Sequence, residues 1–301
     1  DEIGDLANSV NSMARGLAEK EKVRDLLGKV VSQQIAEQLL NNPVELGGEE
    51  KVVTVVFSDI RGFTGFCEGL RPQQVLVELN QVLSTISNII EKHNGVVDKF
   101  QGDAVMALFG APIQSELDAR NAMLATLEIV KAMETADSRL SACVGVNTGL
   151  VVAGNLGSSN RLNYSVIGDA VNLSARLEGL TRLYNVTNIV SDASKDAASD
   201  FCFMELDEVC VAGRSHAIKI FELLGVLGEV SADKLAMAEA FAEALQAYRS
   251  KNWDLAERLF SQLLTSCDNV ALPKVFLERI SHFQISPPPD DWGGVYIFGK
   301  K

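Results

Sequence analysis

The chain has 301 residues, 47% of them hydrophobic, which gives room for one large or two modest domains with a full core. Its net charge of −13, from 27 Lys and Arg against 40 Asp and Glu, disfavours nucleic acid or anionic lipid as the general partner, because either requires a basic face. The five cysteines, Cys67, Cys143, Cys202, Cys210 and Cys267, are odd in number without C-x-x-C spacing, and read as reduced thiols of a cytosolic compartment.

In chain order, Ile3, Leu6, Val10, Met13 and Leu17 alternate spacings of three and four, the seam of a coiled coil or parallel bundle. The chain opens inside this pattern without Met, which reads as the C-terminal piece of something longer. Val30 to Leu40 continues as helix until Asn41-Asn42-Pro43 stops it, and Gly47-Gly48 marks a boundary. No apolar run reaches the roughly 18–20 residues that a membrane span needs.

Val52 to Phe57 is a β-branched and aromatic run that suits a strand covered on both faces, with Asp59 where the run gives out. Val75, Leu79, Val82, Ile86 and Ile89 then recur at helical spacing behind Pro72, and Gly95 ends that helix. Gln101-Gly102 lies between two apolar runs as a tight hairpin turn, so Asp103 begins a strand just after a reversal. A second helix runs from about Leu117 to Ala136. Cys143–Val146 and Leu150–Ala153 read as strands around Asn147-Thr-Gly149, followed by a helix over Ala170–Leu183 and strands at Thr187–Val190 and Ile218–Leu223. Strand, helix, hairpin, helix, strand is the order of a ferredoxin-like α+β domain. From Ser231 the composition turns to Ala-rich helix, and two helices with aromatic and alanine contacts resemble a single TPR-like hairpin before an extended Pro287-Pro-Pro tail.

A lone Asp at a strand end is ordinarily a solvated turn residue or helix cap. Asp59 and Asp103 are more informative as a pair, each at the end of a buried strand beside glycine. Hard divalent cations prefer such carboxylate and carbonyl oxygens, and a site with two ions about 3.5–4 Å apart needs two acids to bridge them. No His or Cys near either acid suggests zinc.

Phe57-Ser-Asp-Ile-Arg-Gly-Phe-Thr64, Lys99-Phe-Gln-Gly-Asp103 and Tyr164-Ser-Val-Ile-Gly-Asp-Ala-Val-Asn172-Leu-Ser-Ala-Arg176 resemble, in order and separation, the signature blocks of class III nucleotidyl cyclases. The resemblance covers roughly Glu50 to Leu224. It implies a ferredoxin-like α+β catalytic domain over residues 47–225, preceded by the end of a HAMP-like signalling helix (1–20) and a helical transducer (21–46), and followed by the helical hairpin and tail (226–301). It further implies that Asp59, Asp103 and the Ile60 carbonyl hold two Mg²⁺ or Mn²⁺ ions, that Lys99 and Ser165 read the purine, and that Asn172 orients the ribose while Arg176 stabilises the α-phosphoryl group.

Lys99 argues for ATP, because guanylyl members typically carry an acid there. The expected activity is therefore adenylyl cyclase, the alternatives being guanylyl cyclase or a degenerate nucleotide-binding sensor. Two departures bear on the triphosphate: Ala212 stands where many relatives have a phosphate-binding Lys, leaving Arg214 as the nearest cation, and Cys143 stands where animal enzymes have an Arg. The resemblance also implies a homodimer in which the metal acids of one protomer face the purine residues of the other. The implied setting is the cytoplasmic side of an inner-membrane-anchored bacterial protein, with an upstream membrane sensor outside this sequence.

Overall fold

The computed structural model describes residues 8, 10–22, 34–36, 47–136, 140–158, 161–211, 216–266 and 269–298. The expected helix over Val30–Leu40, the residues Ala212 and Arg214, and Cys267 lie wholly or largely outside them. Residues 10–22 are helical, with Val10, Met13 and Leu17 exposed along one seam.

The ferredoxin-like core comprises β1 (Gly47–Arg61), a short α1 (Phe63–Cys67), α2 (Pro72–Lys92), β2 (Val96–Gln101), β3 (Ala104–Phe109), α3 (Asp118–Ala136) and β4 (Ser141–Ser158). The remainder is β5 (Arg161–Ile167), α4 (Asp169–Tyr184), β6 (Asn188–Ser191), α5 (Asp192–Asp196), β7 (Phe201–Cys210), β8 (Ile218–Val226), the helices α6 (Ala232–Arg249), α7 (Trp253–Ser266) and α8 (Ala271–Ile285), and β9 (Tyr296–Ile297). The sheet order is β2-β3-β1-β4-β6-β8-β7-β9, with β5 paired to β4. The first four of these are antiparallel neighbours in the order expected of a ferredoxin-like unit.

β1 is covered on both faces, as its composition demands. Val56 and Ile60 pack against Ile86 and Ile90 of α2 and Met123 and Ile129 of α3. Val53, Val55 and Phe57 point the other way, toward Met106, Leu108, Val151, Tyr164 and Val166. A third cluster joins Leu177 and Tyr184 of α4 to Leu206 and Ile220 of the distal sheet, and to Phe241, Tyr248, Phe260 and Phe276 of α6–α8.

Five elements differ from the sequence reading. β4 is one continuous strand across Asn147-Thr-Gly149, since Thr148 Oγ1 bonds Thr54 Oγ1 at 2.8 Å and Asn147 Nδ2 donates to the Ala170 carbonyl, so the polar side chains are satisfied inside the sheet. Strands β5 and β7 add to those expected. The C-terminal hairpin gains a third helix, α8, and its tail returns to pair β9 in parallel with β7. Cys67, Cys143 and Cys202 are free thiols. No helix of the described residues is long and apolar enough to cross a membrane.

Candidate active site

α4 lies closer to the sheet than a helix normally can, because β4 carries Gly145 beneath it. A Cβ at that position would lie 2.2 Å from the Ser174 carbonyl oxygen and 2.3 Å from the Glu178 nitrogen. Ser174 fixes the contact, its hydroxyl reaching both the Val55 and Gly145 carbonyls, at 2.8 and 2.9 Å. The helix thereby brings Glu178 and Arg182 to Asp59 near the end of β1, and carries Asn172 and Arg176 on a different face. Asn172 and Arg176 are one turn apart; Asn172 is exposed, and Arg176 has a buried guanidinium nitrogen with no hydrogen-bond partner.

Asp59, near the end of β1, stands opposite Cys143 of β4. Asp103 is held beside it by the β2–β3 turn, where Gly102 supplies the left-handed conformation at φ +70°. Burial lifts the Asp103 carboxyl above its ordinary range, and the negative charge of Asp59 lifts it further. Two acids that repel each other in this way form a site that favours a cation. One Asp59 oxygen accepts from the Ile60 N–H at 2.8 Å, and the other is held by Arg182. Arg182 also binds Glu178 at 2.9 Å, and burial pushes the Glu178 carboxyl up to about 7.

Two carboxylates and a strand-end carbonyl are hard oxygen donors that suit Mg²⁺ or Mn²⁺. Among the described residues no group of three or more His, Cys, Asp or Glu is arranged to hold an ion, so ions here would need further ligands such as phosphate oxygens. Sequence reasoning missed Arg182 and Glu178, whose only signal was their i, i+4 spacing from each other on the same helix.

Arg61 is also committed. Its guanidinium caps the end of α4 through the Thr181 and Val186 carbonyls and the Asn185 side chain, and Nε donates to Cys143 Sγ at 3.4 Å. The position where an animal-type arginine would stand is thus a buried thiol, with Arg61 and Arg182 beside it.

A second group forms where β2 meets β5. Lys99 Nζ donates to Ser165 Oγ at 3.1 Å and pairs with Asp98 at 2.9 Å, while Ser165 donates to the same Asp98 oxygen at 3.0 Å. Lys99 and Ser165 are therefore adjacent although 66 positions apart. No hydrogen bond or ion pair among the described residues joins this group to Asp59 or Asp103. Arg214 lies outside the described residues.

The model of the adenylate and guanylate cyclase catalytic domain matches residues 48–225, more than half of the chain. An uncharacterized protein of Mycobacterium tuberculosis is 37% identical over 199 residues, 66% of this chain and 37% of that protein, so the chain spans well under half the length of the curated relatives it matches. Among solved structures, the adenylyl cyclase CyaB from P. aeruginosa is similar at 30% identity and a TM-score of 0.56, covering 62% of this chain and all of that one. The guanylyl cyclase Cya2 is similar at 32% and 0.53, covering 61% and 97%. A bacterial light-regulated adenylyl cyclase, at 24% identity and a TM-score of 0.61 over 76% of this chain and 68% of that one, shares the fold.

Proposed function

Because the chain belongs to the adenylate and guanylate cyclase catalytic domain family, we propose that it is an adenylyl cyclase domain that forms 3′,5′-cyclic AMP and pyrophosphate from ATP. The observation that carries the choice of base is the Lys99–Ser165 pair, with an ammonium able to donate to a ring nitrogen and a hydroxyl able to accept from an exocyclic amine. Overall identity does not separate adenylyl from guanylyl neighbours, since one of each is similar at 30% and 32%.

In the reaction the ribose 3′-oxygen attacks the α-phosphorus in line, its proton is lost, and the bond to the β-phosphate oxygen breaks to release pyrophosphate. Asp59, Asp103 and the Ile60 carbonyl would hold two divalent cations, which when bound supply Lewis-acid activation of the 3′-hydroxyl and charge neutralisation on the leaving group. Asn172 orients the ribose. Arg176, with a guanidinium nitrogen lacking a protein partner, offers its charge to the α-phosphoryl oxygens. Arg182, which holds Asp59 and stands beside Cys143, would with cations bound there be available to the triphosphate together with Arg214.

We assign the active sites to a homodimer. Val52, Leu150, Val152 and Ile167 are neighbours on β1, β4 and β5 and are 41–60% exposed, an apolar patch suited to cover by a second copy. The seam of Val10, Met13 and Leu17, 56–69% exposed, would continue that pairing through the HAMP-like helix (1–20) and transducer (21–46), by which an upstream membrane sensor would align both sites. Residues 47–225 are the catalytic unit and 226–301 a helical appendage packed on it. Mixing an Asp59→Ala chain with an Arg176→Ala chain tests the arrangement, since each heterodimer regains one intact site; cyclase activity in the mixture supports shared sites, and none contradicts them.

A further inference from the structure

Asp98 takes no part in the metal site, yet its side chain is 0% exposed. A buried carboxylate is costly unless charged or hydrogen-bonded partners compensate it. One oxygen of Asp98 receives both the Lys99 ammonium, at 2.9 Å, and the Ser165 hydroxyl, at 3.0 Å. The other oxygen is buried without a partner. Lys99 also donates to Ser165 at 3.1 Å, which closes a three-membered ring of hydrogen bonds.

The ring fixes where every proton points. A hydroxyl has one proton and two lone pairs. Ser165 gives its proton to Asp98 and one lone pair to Lys99, so it can offer a ligand only an acceptor. The ammonium has three protons; two are spent within the ring, so Lys99 offers one donor outward. Adenine carries a donor amine beside an acceptor ring nitrogen, which match that acceptor and that donor. Guanine presents a carbonyl and a ring N–H at the same two positions, with both polarities reversed.

We propose that Asp98 is the positioning residue that sets base preference, by locking Ser165 as an acceptor and Lys99 as a donor and so favouring adenine over guanine nucleotides. The inference rests on the nucleotide cyclase reading above and adds to it the residue that orients the base-reading pair. Without Asp98 the Ser165 hydroxyl is free to rotate and donate to a guanine carbonyl, and Lys99 loses its anchor.

The test is equilibrium binding of 3′-deoxy-ATP, 3′-deoxy-GTP and the 3′-deoxy triphosphate of unsubstituted purine riboside, with Mn²⁺, to the full chain and its Asp98→Ala and Asp98→Asn variants. These nucleotides cannot cyclise, so failure of the cyclisation reading, seen as absence of product from ATP, stays distinct from failure of this one. The native chain should prefer adenine over guanine by about tenfold or more, and should bind the purine lacking the amine about tenfold more weakly than adenine, the factor one mispaired buried hydrogen bond is worth. Asp98→Ala should bring the adenine-to-guanine ratio close to one, with Asp98→Asn, which keeps an acceptor oxygen, in between. An unchanged ratio in Asp98→Ala, or an equal loss for all three nucleotides, overturns the proposal. So does equal binding of adenine and the amine-free purine by the native chain, a result that needs no variant to fold. Binding of none of the three overturns both readings together.

Discussion

Replacing Gly145 by Ala tests how the site is assembled. The added methyl would sit 2.2 Å from the Ser174 oxygen and 2.3 Å from the Glu178 nitrogen, about 1 Å short of ordinary contact, and both obstacles are backbone. A side chain could rotate away, but the helix must move as a unit. Lifting α4 by about 1 Å would stretch the hydrogen bond that the single Ser174 proton shares between the two carbonyls, worth roughly 1 kcal/mol, on top of an overpacking cost of about 1–3 kcal/mol. The same helix carries Asn172, Arg176 and Arg182, and a displacement near 1 Å at a reacting centre can cost about 100-fold in rate. Gly145→Ala should therefore lower the denaturation midpoint and depress kcat far more than it changes the global fold seen by far-UV circular dichroism. Gly179→Ala is the matched control, because a Cβ there meets nothing within 4 Å; an alanine inside a helix should leave stability unchanged or raise it by up to about 1 kcal/mol. Native melting and native kcat in Gly145→Ala would refute the close seating of α4 on β4.

Arg279→Ala should destabilise by about 3–5 kcal/mol in urea denaturation, because Asp207, 0% exposed, and Tyr184 would lose the guanidinium that reaches them at 2.6 and 3.2 Å; a loss under about 1 kcal/mol would show that this bridge between α8 and the catalytic sheet is not a buried pair. Burial pushes the Glu222 carboxyl up from 4.5 to about 7, so the folded state holds a proton that the unfolded chain has released. Stability should fall as pH rises from about 4.5 to about 7 and level off above, through Glu222 and Glu178 together, and Glu222→Gln should reduce that slope while leaving the part due to Glu178; an undiminished slope in the variant would show that Glu222 does not contribute. Mn²⁺ with 3′-deoxy-ATP should raise the melting temperature of the native chain through linkage, and Asp103→Ala should abolish the rise while melting at a similar temperature without ligand; an undiminished rise would place the cations elsewhere.

Local signals made much of this molecule legible. The β-branched run of β1 ending near Asp59, the Gln101-Gly102 turn, and the apolar spacing of α2 and α3 each carry their own pattern, and the structure has them at those places. What was hidden depends on partners distant in sequence. Asn147 and Thr148 look like a break in a strand until Ala170 and Thr54 satisfy them. β7 carries Glu205 and Asp207, which argue against a buried strand until Arg249 and Arg279, from the C-terminal helices, pair with them. Pro273 lies in the first turn of α8, where proline is tolerated. At the site, Lys99 and Ser165 were legible from their motifs. The buried hub between them was not, because nothing in Val97-Asp98-Lys99 tells which of two adjacent charges faces inward.

The most direct measurement is cyclic nucleotide formation by the purified chain given ATP or GTP, each with Mg²⁺ and with Mn²⁺. The account predicts cyclic AMP from ATP, with little or no cyclic GMP from GTP. Cyclic GMP as the main product would contradict the reading of Lys99 and Ser165, and no product from either nucleotide while both still bind would make the domain a nucleotide sensor rather than a cyclase.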